Sequence, residues 1–228
     1  MPTPAEWEAL LLSLRVALVA VVVALPFAVG AAWLLARRDF PGKLLLDGIV
    51  HLPLVLPPVV IGYLLLVTFG TRAPLGSVLN EWFGIRFVFH WSGAALAAAI
   101  VSFPFQVRAI RLAMEAIDPG LHEVAETLGA GARDRFLSIT LPLALPGVLA
   151  GAITAFAASL GEFGAIITFV SNVPGETRTL PLAIYTALQS PDGEAMAARL
   201  AGLSIALALT GLALSEVAAR RVRRMTAP

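Results

Sequence analysis

Few side chains among these 228 residues are suited to covalent chemistry. Cysteine is absent, which excludes thiol catalysis, disulfides and Cys-ligated metals. His51, His90 and His122 stand at no metal-ligand spacing, so no metal site is expected. Ser204, in Gly202-Leu203-Ser204, lies in an apolar run, but no neighbouring run supplies a histidine base at comparable depth. An intramembrane serine protease is accordingly the weakest reading. The phosphate-cradling pattern G-x-x-x-x-G-K-[ST] is missing: Pro41-Gly42-Lys43-Leu44 lacks both the magnesium-holding hydroxyl and the preceding glycine. The chain is therefore expected not to be an enzyme, and any ATP hydrolysis linked to it must come from another chain.

The other charged groups suit binding or bracing. Arg178, in Pro174-Gly175-Glu176-Thr177-Arg178, offers a guanidinium fork that matches an oxyanion or an acidic protein surface. A local pair with Glu176, or plain solvation, competes equally. Glu162 lies roughly 30 Å along a helix from Leu141, near one membrane face. It is a candidate for an outer gate, but a carboxylate repels an anion in low dielectric. A hydrogen-bonded pin between helices, with Gly161 and Gly164 permitting close approach, outweighs that role. Asp47 and His51, one helical turn apart, suit a structural pair, and Arg108 and Arg111 mark a membrane interface ahead of an anion exit.

The elements that must carry these groups follow from composition. The chain is 58% hydrophobic and 14% charged, with a mean hydropathy of +0.86. Soluble domains carry about a quarter charged residues, so a water-soluble enzyme and a disordered chain are both excluded. A net charge of +1 without a basic face argues against nucleic acid as a partner. Five apolar segments have membrane length, about residues 10–35, 44–67, 91–113, 141–170 and 196–219, which makes residues 1–228 one all-α integral membrane domain in contact with lipid. Glu6 and Glu8 stand where a secretory leader would be positive, so the first run reads as an uncleaved helix. Pro53, Pro57, Pro58 and Pro104 imply broken or kinked helices.

Eleven of the sixteen basic residues fall on one side: Arg37, Arg38 and Lys43; Arg108, Arg111, Arg133 and Arg135; and the tail Arg220, Arg221, Arg223 and Arg224. Arg15, Arg72, Arg86, Arg178 and Arg199 fall on the other. Excess positive charge faces the cytoplasm, which sets a multi-pass inner (plasma) membrane protein with its N-terminus outside and its C-terminus inside. The outer loop 71–90 reads as a short irregular excursion with interfacial Trp82 and Trp91. The piece 179–189 is apolar but too short to span, which suits a re-entrant or interfacial helix.

The loop 118–141, DPGLHEVAETLGAGARDRFLSITL, is the most informative stretch. Asp118 suits a helix cap and Pro119 the first helical position. Leu121, Val124, Ala125 and Leu128 recur at helical spacing, while Gly129 and Gly131 turn the chain toward a second helix from Ala132. The apolar stripe needs a partner: its own bundle, the headgroup layer or another protein.

Glu123, Ala125, Gly129, Ile139, Leu141 and Pro142 match the EAA loop: E-A-A, three residues, G, nine residues, I, any residue, L-P. Val124 replaces the middle alanine. The chain thus resembles the permeases of ABC importers. That resemblance implies the type I importer permease fold, with a coupling helix seated in a groove of a cytoplasmic ATPase. Leu121, Glu123, Val124, Ala125, Leu128, Gly129, Ile139, Leu141 and Pro142 are its coupling residues. It further implies a permease homodimer, two ATPase subunits that bind the ATP and magnesium, no cofactor in this chain, and a periplasmic or extracellular oxyanion-binding protein. Arg178 and Glu162 are the candidates for the outer gate or for contact with that protein. A passive pore would have no use for such a helix.

A second resemblance is narrower. Segments 51–66, 102–118 and 159–186 are similar to molybdate-importer permeases. Sulfate and thiosulfate permeases share the EAA loop and a GEFG turn, but the run FVSNVPGETRTLP resembles the molybdate branch more closely. The resemblance implies transport of molybdate, with tungstate of nearly equal size, and leaves sulfate or thiosulfate as the alternative. Some members carry an additional N-terminal helix; the odd span count here matches the form without it.

Overall fold

A computed structural model describes the backbone of residues 3–226 and side chains as far as Gly211, so the side chains of the tail arginines 220, 221, 223 and 224 lie outside what is described. Every regular element among the described residues is helical. Helix α1 (Pro4–Arg37) opens on a capping box: the Thr3 N–H donates to Glu6 Oε2 at 2.6 Å, and the Glu6 N–H donates to Thr3 Oγ1 at 3.4 Å. Val16, Ala17, Ala20, Ala24, Ala28 and Ala32 then form a buried stripe. These small side chains let α1 lie close against α5 (Trp91–Glu115) and α8 (Leu141–Leu160). Arg15, the one basic residue in the first apolar run, sits 3.7 Å over the ring of Trp91, where a cation gains from the aromatic face.

The second apolar segment is a bent pair. Helices α2 (Lys43–Val55) and α3 (Pro58–Phe69) meet at 115°. The break falls at Leu56, which is extended as a residue before proline should be. Pro53 and Pro104 stay inside α2 and α5, so only the Pro57-Pro58 pair breaks its helix. The fourth segment divides likewise, into α8 and α9 (Gly164–Val170), with residues 161–163 as the joint. Among the described residues, four helices are long and apolar enough to cross a membrane, and five spans result if the bent pair counts as one. Within loop 71–90 the chain forms a ten-residue helix, α4 (Pro74–Phe83), that ends on left-handed Gly84. Trp82 on it is exposed.

Two ends of the bundle are tied by distant contacts. At one, Arg37 Nη2 donates to the Met114 carbonyl at 2.8 Å, joining the last turns of α1 and α5. A cation there also complements the carbonyl end of α5. At the other, buried Glu6 accepts from Arg199 Nε at 3.0 Å, which ties α1 to α11 (Glu194–Thr226). Beside it the first amide of α10 (Leu180–Leu188) donates to Ser13 Oγ at 2.7 Å. Much of the remaining surface is apolar: Leu18, Val22, Val23 and Phe27 on α1 and Leu44, Leu45 and Ile49 on α2 are all more than half exposed. Such a surface requires lipid or another apolar partner.

Candidate functional site

Helix α6 (Pro119–Thr127) begins where local chemistry demands. Asp118 Oδ1 accepts from the Gly120 N–H at 2.9 Å, and Pro119 fills the first position, where no N–H is needed. Its end is equally specified. Gly129 adopts φ +85°, its N–H donates to the Glu126 carbonyl at 2.9 Å, and the Ala130 N–H donates to the Ala125 carbonyl at 2.9 Å. This paired return is the Schellman ending, whose left-handed position favours glycine. Gly131, at φ −66°, has no such requirement.

Helix α7 (Ala132–Arg135) follows and runs through a π turn (Phe136–Thr140) into α8. The π turn falls immediately ahead of Pro142, and the Leu141 N–H reaches back to the Phe136 carbonyl. Arg135 Nη1 bonds Glu126 Oε2 at 2.5 Å and so clamps α6 to α7.

No residue of α6 is buried among the described residues. Leu121 is 47% exposed, Val124 60% and Leu128 82%, whereas Ala125 is half-buried. Glu123 is exposed beside them. The stripe thus points away from its own bundle. Ile139 and Leu141 are half-buried at the root of α8 and Pro142 is exposed next to them, so these three support the loop and stand apart from the α6 face.

His122 lies on the inner side of this loop. Its Nε2 is buried and has no hydrogen-bond partner among the described residues. Burial, with the Arg37 and Arg135 cations nearby, holds its imidazole below the ordinary value. As pH falls through about 6.5, an unfolded loop therefore takes up a proton that the folded loop resists, and the folded form loses stability. Above that pH His122 is neutral in both forms and contributes nothing. Amide exchange over residues 118–135, corrected for intrinsic rates, is expected to accelerate between about pH 7.5 and about pH 5.5, and H122N to remove the difference. Equal protection at both pH values would overturn this.

The other sequence candidates lie elsewhere. Glu162 is buried, and its Oε1 accepts from the Ala165 N–H at 2.7 Å, capping α9. A side chain at Gly164 would come within 2.9 Å of Pro58 Cβ, so this turn packs tightly on α3. Arg178 Nε donates to Asn172 Oδ1 at 2.9 Å, in place of a pair with Glu176, and Asn172 Nδ2 donates to Thr186 Oγ1 on α10 at 2.7 Å. Arg178 is half-buried in this clasp. Asp47 and His51 do meet, at 3.1 Å. Sequence reasoning missed that Asp47 also binds Arg111 Nη1 at 3.0 Å, and that Arg37 braces the end of α5. Charge in the last turn of α1 signalled the Arg37 brace; nothing local signalled the Asp47–Arg111 pair.

Residues 15–224 match the family model described as binding-protein-dependent transport system inner membrane component. The chain is 61% identical over 218 residues to the molybdenum transport system permease protein ModB of Escherichia coli strain K12, covering 96% of this chain and 95% of that one. It is 38% identical to the sulfate transport system permease protein CysT of Salmonella typhimurium, over 73% of this chain and 60% of that one. Among solved structures, a chain of the bacterial ABC transporter involved in import of the acidic polysaccharide alginate superposes with a TM-score of 0.75. It is 19% identical, and the match covers 99% of this chain and 81% of that one.

Proposed function

This chain belongs to the family of binding-protein-dependent transport system inner membrane components, and from that premise we propose that it is the permease of an ATP-driven molybdate importer. The substrate follows the 61% identical relative, which matches nearly full length, over the sulfate relative, which matches less of both chains. The observation that carries the mechanism is the uncovered apolar face of α6, displayed beside Arg133 and Arg135.

Two copies of the permease form the path, with the Arg-rich end in the cytoplasm and the N-terminus outside. A cytoplasmic ATPase receives Leu121, Val124 and Leu128 in a groove, and burial of these three side chains supplies the adhesion. ATP binding draws the two ATPases together, and the two α6 helices follow. The Arg135–Glu126 clamp and the continuous helix from α7 into α8 pass that displacement to the spans. The dimer opens outward, receives the anion from a binding protein, and hydrolysis resets it. Glu162 and Arg178 serve as structural pins near the outer face, and the anion meets few strong ligands within the path.

The test is uptake in cells lacking their own oxyanion importers, supplied with this permease and its neighbouring ATPase and binding protein. Radiolabelled molybdate is expected to enter, with excess tungstate blocking it and excess sulfate leaving it unchanged. Competition by sulfate would move the chain to the sulfate branch; no uptake would overturn the reading.

A further inference from the structure

A cleft of about 350 Å³ opens between α2 and α5 near the Arg-rich end, lined by Asp47, His51, Arg108, Arg111, Leu112 and Glu115. Its two arginines differ in a way the sequence does not reveal. Arg111 is engaged on both sides: Nη1 bonds Asp47 Oδ1 at 3.0 Å and Nε bonds Glu115 Oε1 at 2.7 Å. Arg108, one turn earlier on the same helix, is exposed into the cleft and makes no ion pair or side-chain hydrogen bond among the described residues. His51 faces it from α2, its ring tied to Asp47.

A guanidinium with its five donors unspent, in a cleft at the end of a span, fits a tetrahedral oxyanion. The two carboxylates hold the affinity down, because each repels an anion and their charge balances that of Arg108 and Arg111 together. We infer that this cleft is a weak oxyanion site, centred on Arg108 and detuned by Asp47 and Glu115. Weak binding is what a release point needs, since an ion held tightly at the inner mouth would slow its own departure. The same chemistry would accept the phosphate of an anionic lipid, given the exposed Leu112 in its lining and the exposed Leu44 and Leu45 on α2. The assignment to a transported ion rests on the molybdate reading above; the oxyanion site itself does not.

The test uses the complete transporter with its ATPase, without the binding protein, in nanodiscs. In purely zwitterionic lipid, radiolabelled tungstate is the probe. Asp47→Asn is expected to bind it about tenfold more tightly than the parent protein, with slower release, and R108Q to bind it about tenfold more weakly. Because Asp47→Asn also loosens the α2–α5 brace, Glu115→Gln repeats the test from α5 alone. Arg108→Lys, which keeps the charge and loses the fork, is expected to fall between R108Q and the parent. In nanodiscs containing phosphatidylglycerol, native mass spectrometry reads lipid retention. Lipid lost in R108Q with tungstate binding unchanged across all variants assigns the site to lipid phosphate. Tungstate binding and lipid retention both indifferent to Arg108, Asp47 and Glu115, in variants that melt like the parent, would overturn the site. Failure of molybdate uptake by the unaltered transporter would sink the molybdate reading and leave the binding result standing.

Discussion

Leu128→Asp permease is expected to insert normally and to emerge from the membrane without its ATPase. Leu128 is 82% exposed at the end of α6, so its side chain contributes almost nothing to the fold of this chain. In a groove, however, it would bury most of its surface, worth about 2 kcal/mol. An aspartate there loses that term and adds the cost of desolvating an unpaired charge, at least about 2 kcal/mol more. Together these weaken association by about a thousandfold or more. The backbone at 128, the C-cap with φ −81° and ψ 2°, lies at negative φ that aspartate adopts freely, and the left-handed turn at Gly129 is untouched. Co-purification of tagged permease with ATPase is the measurement, and membrane yield the control. Normal co-purification would remove α6 as the docking element, and Val124→Asp, 60% exposed on the same stripe, should behave alike.

The second large effect is structural. Gly62→Leu is expected to unseat α3 from α9 and abolish both thermal stability and uptake. A Cβ at residue 62 would stand 2.6 Å from the Ala165 carbonyl oxygen and 2.8 Å from Thr168 Cβ, and neither can rotate away. Gly164 makes the reciprocal approach to Pro58 and Val59, so α3 and α9 touch through two glycines. Overpacking a well-filled contact costs about 1–3 kcal/mol, and a clash with the Ala165 backbone of α9 puts leucine at or above the upper end. Gly30→Ala, where a Cβ meets nothing within 4 Å, is the control and should melt like the parent or slightly higher. A Gly62→Leu permease that melts and transports normally would refute the tight α3–α9 contact.

Several parts of this molecule are legible without coordinates because they act over a few residues. The start of α6 needs only Asp118 and Pro119, and its end only Gly129, whose φ of +85° suits the residue with no Cβ. Hydropathy likewise marks the apolar runs, because a helix in lipid must satisfy its own backbone and cover itself with hydrocarbon. What proline does in such a helix is not local. Pro53 and Pro104 are carried inside helices, whereas Pro57-Pro58 produces a 115° bend. The joint at residues 161–163, the first three of the GEFG turn, interrupts a segment that reads as one continuous run.

The residue types and their order therefore determined an all-helical membrane chain, the positions of its apolar segments, the loop between α5 and α8, and the family to which it belongs. Tertiary structure alone decided which charges meet: Asp47 with Arg111 across 64 positions, Arg37 with the end of α5 across 77, and Glu6 with Arg199 across 193. It also left Arg108 without a carboxylate partner among the described residues while Arg111 took two. Hydrogen-bonded caps and hydrophobic periodicity are short-ranged and repeat within a turn. An ion pair between helices depends on how those helices lie against one another, and that is set by the packing of small residues along α1, α5 and α8 rather than by any property of the charged residues themselves.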